Sequence, residues 1–196
     1  HEYALSTLEK GKAYIHPFDD PLIWKGHATV VDEVCYNGPN PDAVVLSVGG
    51  GGLLCGVVEG LQRNGWNDVP ILAIETLGAA SFHAAIKAGH LVSLDAITSI
   101  ATTLGAKQVA KCAFDWTKKH EIISHLVSDR VAVKACMAFA RDHRLLVEPA
   151  CGAALAAVYE PVLFFTDKEK VLIIVCGGAG VTMEQLGQWL EETEAP

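Results

Sequence analysis

The segment Ser47-Val48-Gly49-Gly50-Gly51-Gly52-Leu53 carries the sharpest chemical signal in this sequence. Four consecutive glycines follow an apolar run and precede a segment of helical period. Each glycine loses more conformational freedom on ordering than other residues, about 0.5–1 kcal/mol relative to alanine, so the run needs an offsetting role. A bare backbone lets successive N–H groups converge on one anion. A helix starting near Leu53 would add its positive end and its unpaired amides. The combination reads as a cup for a phosphate group, and a tight strand-to-helix turn without a ligand is the alternative. G-x-G-x-x-G fails in every frame because residue 54 is Leu and residue 55 is Cys, and no G-K-[ST] follows. Glu75 ends the next apolar run, about 20 residues on, where an acid would bind ribose in a dinucleotide fold. A nucleotide therefore stays among the possible owners of the phosphate.

Cys176-Gly177-Gly178 follows another apolar run and forms a third cluster, beside the glycines and the stretch from Glu75 to Ser81. Cys176 alone reads equally as a buried structural thiol, and Glu75 as a helix-capping or paired carboxylate. The six cysteines (Cys35, Cys55, Cys112, Cys136, Cys151 and Cys176) form no C-x-x-C pair, which argues against zinc. They read as buried thiols of a reducing compartment, with the cytosol as the default. His16, His27, His83, His90, His120, His125 and His143 show no metal-ligand spacing and read as packing or surface residues. Asp19 and Asp20 lie in a proline-flanked turn, where a turn role is expected.

These clusters must be positioned by regular elements. Apolar runs at 43–48, 71–75 and 171–175 read as strands, with a shorter one possible at Tyr14-Ile15. Residues 27–36, 53–63, 79–88, 106–119, 128–143, 151–160 and 182–192 read as helices. The three main strands are apolar on both faces, which predicts an α/β fold: an open, mostly parallel sheet with helices on both faces. Ligands in such sheets bind beyond the carboxyl ends of the strands, and the three clusters sit there.

The chain has 196 residues, is 51% hydrophobic with mean hydropathy +0.28, and carries a net charge of −8. That is enough for one domain with a real core. The charge argues against nucleic acid, which needs clustered Lys and Arg. No apolar run approaches the roughly 18 residues of a membrane span, so no membrane role is expected. The sequence opens at His1 without an initiator methionine and shows no basic n-region followed by an apolar run at its start, so no signal peptide is expected there.

The glycine loop, with what flanks it, resembles the phosphate loop of fold-type II pyridoxal-phosphate enzymes, in particular the animal-type L-serine dehydratase/L-threonine deaminase group. The resemblance runs in order through Pro17-Phe18-Asp19-Asp20-Pro21, Glu75-Thr76-Leu77-Gly78-Ala79, Ser81-Phe82-His83-Ala84-Ala85, Thr98-Ser99-Ile100-Ala101 and Leu104-Gly105-Ala106-Lys107. It closes with the stretch from Leu146 through Glu148-Pro149-Ala150-Cys151-Gly152 to Leu155, and with Val175-Cys176-Gly177-Gly178.

The resemblance implies β-elimination of L-serine to pyruvate and ammonia, and of L-threonine to 2-oxobutanoate, in a cytoplasmic homodimer of amino-acid catabolism and gluconeogenesis. It implies that Gly49, Gly50, Gly51, Gly52 and the Leu53 amide hold the phosphate of pyridoxal 5'-phosphate. Cys176 would face the pyridine nitrogen as a neutral thiol, since an unperturbed thiol titrates near ~8.5. Glu75, Ala79 and Ser81, with carbonyls of Gly49, Leu104 and Ala106, would bind a cation. One carboxylate is too little charge for a tight divalent site, so potassium is expected. Related racemases carry a second carboxylate where Ser81 stands. A racemase-like enzyme and a catalytically inactive truncated homologue are the alternatives.

The chain departs from the family pattern in several respects. The S-x-K-x-R-G-like segment that should carry the Schiff-base lysine is not in this sequence, nor are the substrate-carboxylate loop and the small substrate domain. Residues 1–196 are thus expected to form part of the large cofactor-binding domain, without a catalytic residue of their own and with apolar surface exposed. Residues 159–170 are shorter than the family's segment, and Ala179 stands where the family carries Ser or Asn.

Overall fold

The computed structural model describes residues 2–6, 8, 12–160 and 167–193. After a short helix α1 (Glu2–Ser6), the chain alternates helices and strands. These are α2 (Pro21–Asn37), β1 (Ala43–Ser47), α3 (Gly52–Arg63), β2 (Ile71–Thr76) and α4 (Ser81–Ala88), then α5 (Lys111–Trp116), β3 (Ile122–Val127), α6 (Asp129–His143), α7 (Pro149–Tyr159), β4 (Val171–Ile173) and α8 (Met183–Glu192). The four strands form one sheet in the order β3-β2-β1-β4, with every pairing parallel. Val44 pairs with Ile71 and Leu172, so β1 is central and β4 is an edge.

The double-sided apolar pattern of β1 and β2 has a direct structural reading. Val45, Leu72 and Ile74 point into one core, with residues of α6, α7 and α8. Val44, Leu46, Ile71 and Ala73 point into the other, with residues of α2, α3 and α5. Successive side chains alternate between faces, and both faces are covered, as a parallel sheet requires. Helix α7 is apolar around its whole girth and buried almost throughout, the signature of a core helix. Its small residues allow α6 close: a Cβ on Gly152 would fall 2.2 Å from the Ala132 carbonyl oxygen.

Several boundaries differ from the sequence-based expectation. No strand forms at Tyr14-Ile15, where Ile15 is exposed. Helix α2 starts earlier, at Pro21, because Asp20 caps it by accepting from the Leu22 amide at 2.8 Å; the expected turn role of Asp20 is a cap. The helix expected over 106–119 shrinks to α5. The amide of Ala110 donates to Gly50 and the carbonyl of Lys107 accepts from Leu94, so the preceding residues are drawn into loop contacts. β3 was not anticipated. The last strand spans only 171–173 and is half-buried, because β4 has a neighbouring strand on one side only among the described residues. Residues 161–166, within the short segment noted above, lie outside the described residues. Among the described residues, no helix is long and apolar enough to cross a membrane.

Candidate functional site

The glycine loop joins the end of β1 to the start of α3. Gly51 is the residue before the helix, with a left-handed φ of 87° and no side-chain cap. Among the described residues, no hydrogen bond reaches the amides of Gly49 through Leu54. The loop's carbonyls are used instead: Ala110 donates to Gly50 and Cys55 donates to Gly51, both at 2.9 Å. A row of unpaired N–H groups at a helix N-terminus is an anion site in waiting.

The glycines also answer to sterics. A Cβ on Gly50 would fall 2.2 Å from Phe18 Cγ, one on Gly51 2.6 Å from Ala113 Cβ, and one on Gly52 2.6 Å from the Phe18 carbonyl oxygen. Phe18 is itself fixed. The Trp24 indole donates to its carbonyl at 2.7 Å, and His16 Nδ1 accepts from the amides of Phe18 and Asp19 at 3.3 and 2.8 Å. The Pro17–Phe18 turn therefore buttresses the loop from one side and α5 from another.

Beside the loop lies a cavity of about 300 Å³, whose walls include Phe18, Ser47, Thr103, Glu148 and Cys176 as well as all four glycines. No described lysine lines it. Thr103 and Glu148 were not singled out from the sequence as cavity walls. Thr103 donates to Glu148 Oε1 at 2.8 Å, joining the turn before α5 to the start of α7. Long-range packing makes this pair, and no local motif announces it.

Cys176 is exposed at the cavity and Cys35 is exposed on α2, against the expectation of buried thiols, whereas Cys151, in the first turn of α7, is buried. The Cys176 thiol is pulled below the ordinary thiol range, first by its hydrogen bond with Cys151 and then by Ser47, against the opposing effect of burial. Ser47 Oγ lies 3.9 Å from the sulfur. The neutral thiol expected at Cys176 thus meets surroundings that favour the thiolate.

Glu75, the penultimate residue of β2, is fully buried. Its two oxygens accept from the amides of Phe82 and His83 at 2.9 and 2.7 Å, so the carboxylate closes the N-terminus of α4. Burial nevertheless pushes its carboxyl up to about 7. At the first residue of α4, the Ser81 hydroxyl is buried with no hydrogen-bond partner among the described residues. Among the described residues, the carbonyls of Gly49, Ala79 and Ala106 accept no hydrogen bond, whereas that of Leu104 accepts from Ala106 at 2.8 Å. Gly49 packs directly on Leu104. The turn carrying Leu104 and Ala106 is anchored upstream: Ser99 Oγ accepts from Thr76 at 2.8 Å, and Asp129 accepts from Ile100 at 3.0 Å. The histidines have structural partners where they are buried: His120 bonds the Val69 carbonyl at 2.8 Å and Gln62 at 3.2 Å.

The family model described as "Pyridoxal-phosphate dependent enzyme" matches residues 1–177. The chain belongs to this family. Among similar members, the L-serine dehydratase/L-threonine deaminase of Homo sapiens is 52% identical over 192 residues, covering 93% of this chain and 58% of the human protein. This pyridoxal-phosphate family chain therefore spans well under two thirds of that relative's length. The solved fungal L-serine ammonia-lyase from Rhizomucor miehei superposes with a TM-score of 0.92 at 34% identity, covering 97% of this chain and 63% of the fungal one. Maize serine racemase superposes with a TM-score of 0.79 at 26% identity, covering 93% and 58%.

Proposed function

We propose that this chain is the phosphate-cradling part of an L-serine/L-threonine ammonia-lyase that uses pyridoxal 5'-phosphate. In the complete protein it would convert L-serine to pyruvate and ammonia, and L-threonine to 2-oxobutanoate and ammonia. The observation that carries this reading is the cavity in which the unpaired amides of the glycine loop and the Cys176 thiol share one wall system. The residues fit the cofactor: free amides for its phosphate, the Phe18 ring closing the loop from behind, and a thiol for its ring nitrogen. When bound, pyridoxal phosphate supplies the electron sink that lets an amino acid lose its α-proton.

The chain's own residues bind and orient. Gly49 through Leu53 would hold the phosphate without any side chain, so the anchor is rigid and carries no titratable group. Cys176 Sγ, on the cavity wall, would face the ring nitrogen of the bound cofactor. The Cys151 thiol and Ser47 hydroxyl both favour its thiolate, so the sulfur would give up its proton readily to a group placed against it. Glu148 and Thr103 form a second polar wall. Residues 1–196 are read as part of the large cofactor domain, and the Schiff-base lysine as lying in a segment that this sequence does not include.

A potassium ion would sit with Glu75, Ser81 and the carbonyls of Gly49, Ala79, Leu104 and Ala106. The buried Ser81 hydroxyl, without a hydrogen-bond partner among the described residues, and the fully buried Glu75 carboxyl support this reading. A single carboxylate suits a monovalent cation. Ser81 in place of a second acid favours the lyase over a racemase. A cytoplasmic homodimer rests on the family resemblance alone.

The test is an assay of the full-length protein with pyridoxal phosphate, L-serine and KCl, following pyruvate and D-serine together. Pyruvate in excess of D-serine, with the 196-residue chain alone giving neither, is the expected result. D-serine as the main product, or turnover by the chain alone, would overturn the reading.

A further inference from the structure

Helices α6 and α8 lie side by side with an open groove between them. Arg130, in the first turn of α6, donates to the Leu190 carbonyl in the last turn of α8 at 3.2 Å, so the two helices run antiparallel. The groove holds about 740 Å³. Its floor is apolar: Met137 and Ala138 come from α6, and Met183 and Leu190 from α8. Gly187 stands on the same stripe of α8, four residues after Met183 and three before Leu190. A Cβ on Gly187 would meet nothing within 4 Å. Met183 is 49% exposed, so this apolar surface is open to solvent.

The two rims carry opposite charge. Lys134, Arg141 and Arg144 line the groove from α6, at helical steps of seven and three that put them on one face. Glu184 and Glu191 follow Met183 and Leu190 along α8 and are exposed, seven residues apart on one stripe. Among the described residues, no ion pair joins the α6 cations to the α8 acids. Arg141 pairs with its neighbour Asp142 at 2.7 Å instead, and exposed pairs of this kind are weak.

We propose that this groove is the contact face between two copies of the chain, related by a two-fold axis running along the groove. Such an axis lays each α6 on the α8 of the other copy and keeps their ends in step. Because the helices are antiparallel, Glu184 lies toward the Arg141 end of the groove and Glu191 toward the Lys134 end. Arg141 of one copy then meets Glu184 of the other, and Lys134 meets Glu191. Each contact occurs twice, as a closed isologous interface requires. The apolar floors close on each other, and the space over Gly187 takes side chains of the second copy. A two-fold axis across the groove would set α6 on α6, cation against cation, so the charges select one arrangement. The inference stands on this face alone, independent of the reaction proposed above and of the family resemblance.

The experiment mixes isotopically heavy and light chain, measures the mass by sedimentation equilibrium, then applies a zero-length carbodiimide cross-linker and maps the peptides. The expected result is a dimer in which a heavy peptide and a light peptide are joined through Lys134 and Glu191. Two variants give a second reading. Lys134→Glu/Arg141→Glu sets acids against acids, and Glu184→Lys/Glu191→Lys sets cations against cations. Each alone should self-associate at least about a hundredfold more weakly than wild type, and an equal mixture of the two should recover the dimer as the mixed species. A monomeric wild-type chain, or cross-links between copies that lie elsewhere, such as along β4, would overturn the inference whether or not the variants fold. So would variants that each associate like wild type, or folded variants that stay apart when mixed.

Discussion

The ring of Phe18 lies so close to Gly50 that a Cβ on the glycine would fall 2.2 Å from the ring's Cγ. The loop's shape is thus set by a neighbour from a distant part of the chain. Gly50→Ala must displace either the ring or the loop, and overpacking of this kind costs about 1–3 kcal/mol. The expected outcome is a urea midpoint lowered accordingly, with partial recovery in the double variant Gly50→Ala/Phe18→Ala. Equal stability of Gly50→Ala and wild type would show that this contact is not tight.

Glu75 gives a pH signature. Its folded carboxyl lies at about 7 against an ordinary value of 4.5, because burial penalises the charge. The folded state then holds a proton that the unfolded state has released. Stability is highest below about 4.5 and declines as pH rises to about 7, by at most about 3 kcal/mol. Urea melts in buffers free of small monovalent metal cations should show this decline, and Glu75→Gln should remove it. Potassium should restore stability above pH 7 in wild type and not in Glu75→Gln.

Asp20 starts the helix that packs on α3. Its side chain accepts from the Leu22 amide, ahead of a proline at the first helical position. Asp20→Ala should lower stability by about 1 kcal/mol, and Asp20→Ser should recover most of it. Thermal or urea unfolding measures both.

Cys176 should alkylate as a thiolate at lower pH than an ordinary cysteine. Its surroundings move it downward from 9.0, chiefly through the Cys151 hydrogen bond and also through Ser47. The rate of iodoacetamide labelling at Cys176, followed by peptide mass, should have its midpoint below that value. Cys151→Ala should shift the midpoint upward, because the larger of the two stabilising partners is lost.

The parts of this molecule that could be read from the sequence are those set locally. β1 and β2 were legible because each is apolar on both faces, and α7 because its alanines run without a polar break. The glycine loop is legible as the link from β1 to α3 from its composition and position. β3 was missed because Ser124 and His125 interrupt an apolar run at a half-buried sheet edge. Helix α5 was overextended because nothing in residues 106–110 signals that the Ala110 amide is claimed by Gly50. The steric role of the glycines was hidden for the same reason, since Phe18 and Ala113 come from distant parts of the chain. The Thr103–Glu148 wall likewise depends on how α7 docks under the sheet.

The most direct measurement compares the affinity of the chain for pyridoxine 5'-phosphate and for pyridoxine by calorimetry. Neither compound carries an aldehyde, so neither can react with lysines, and they differ only in the phosphate. If the free amides of Gly49 through Leu53 form a phosphate cup, the phosphorylated compound should bind at least about tenfold tighter, a difference of about 1.4 kcal/mol, and inorganic phosphate should compete. Equal affinity for the two compounds, with no competition by phosphate, would contradict the assignment of the glycine loop.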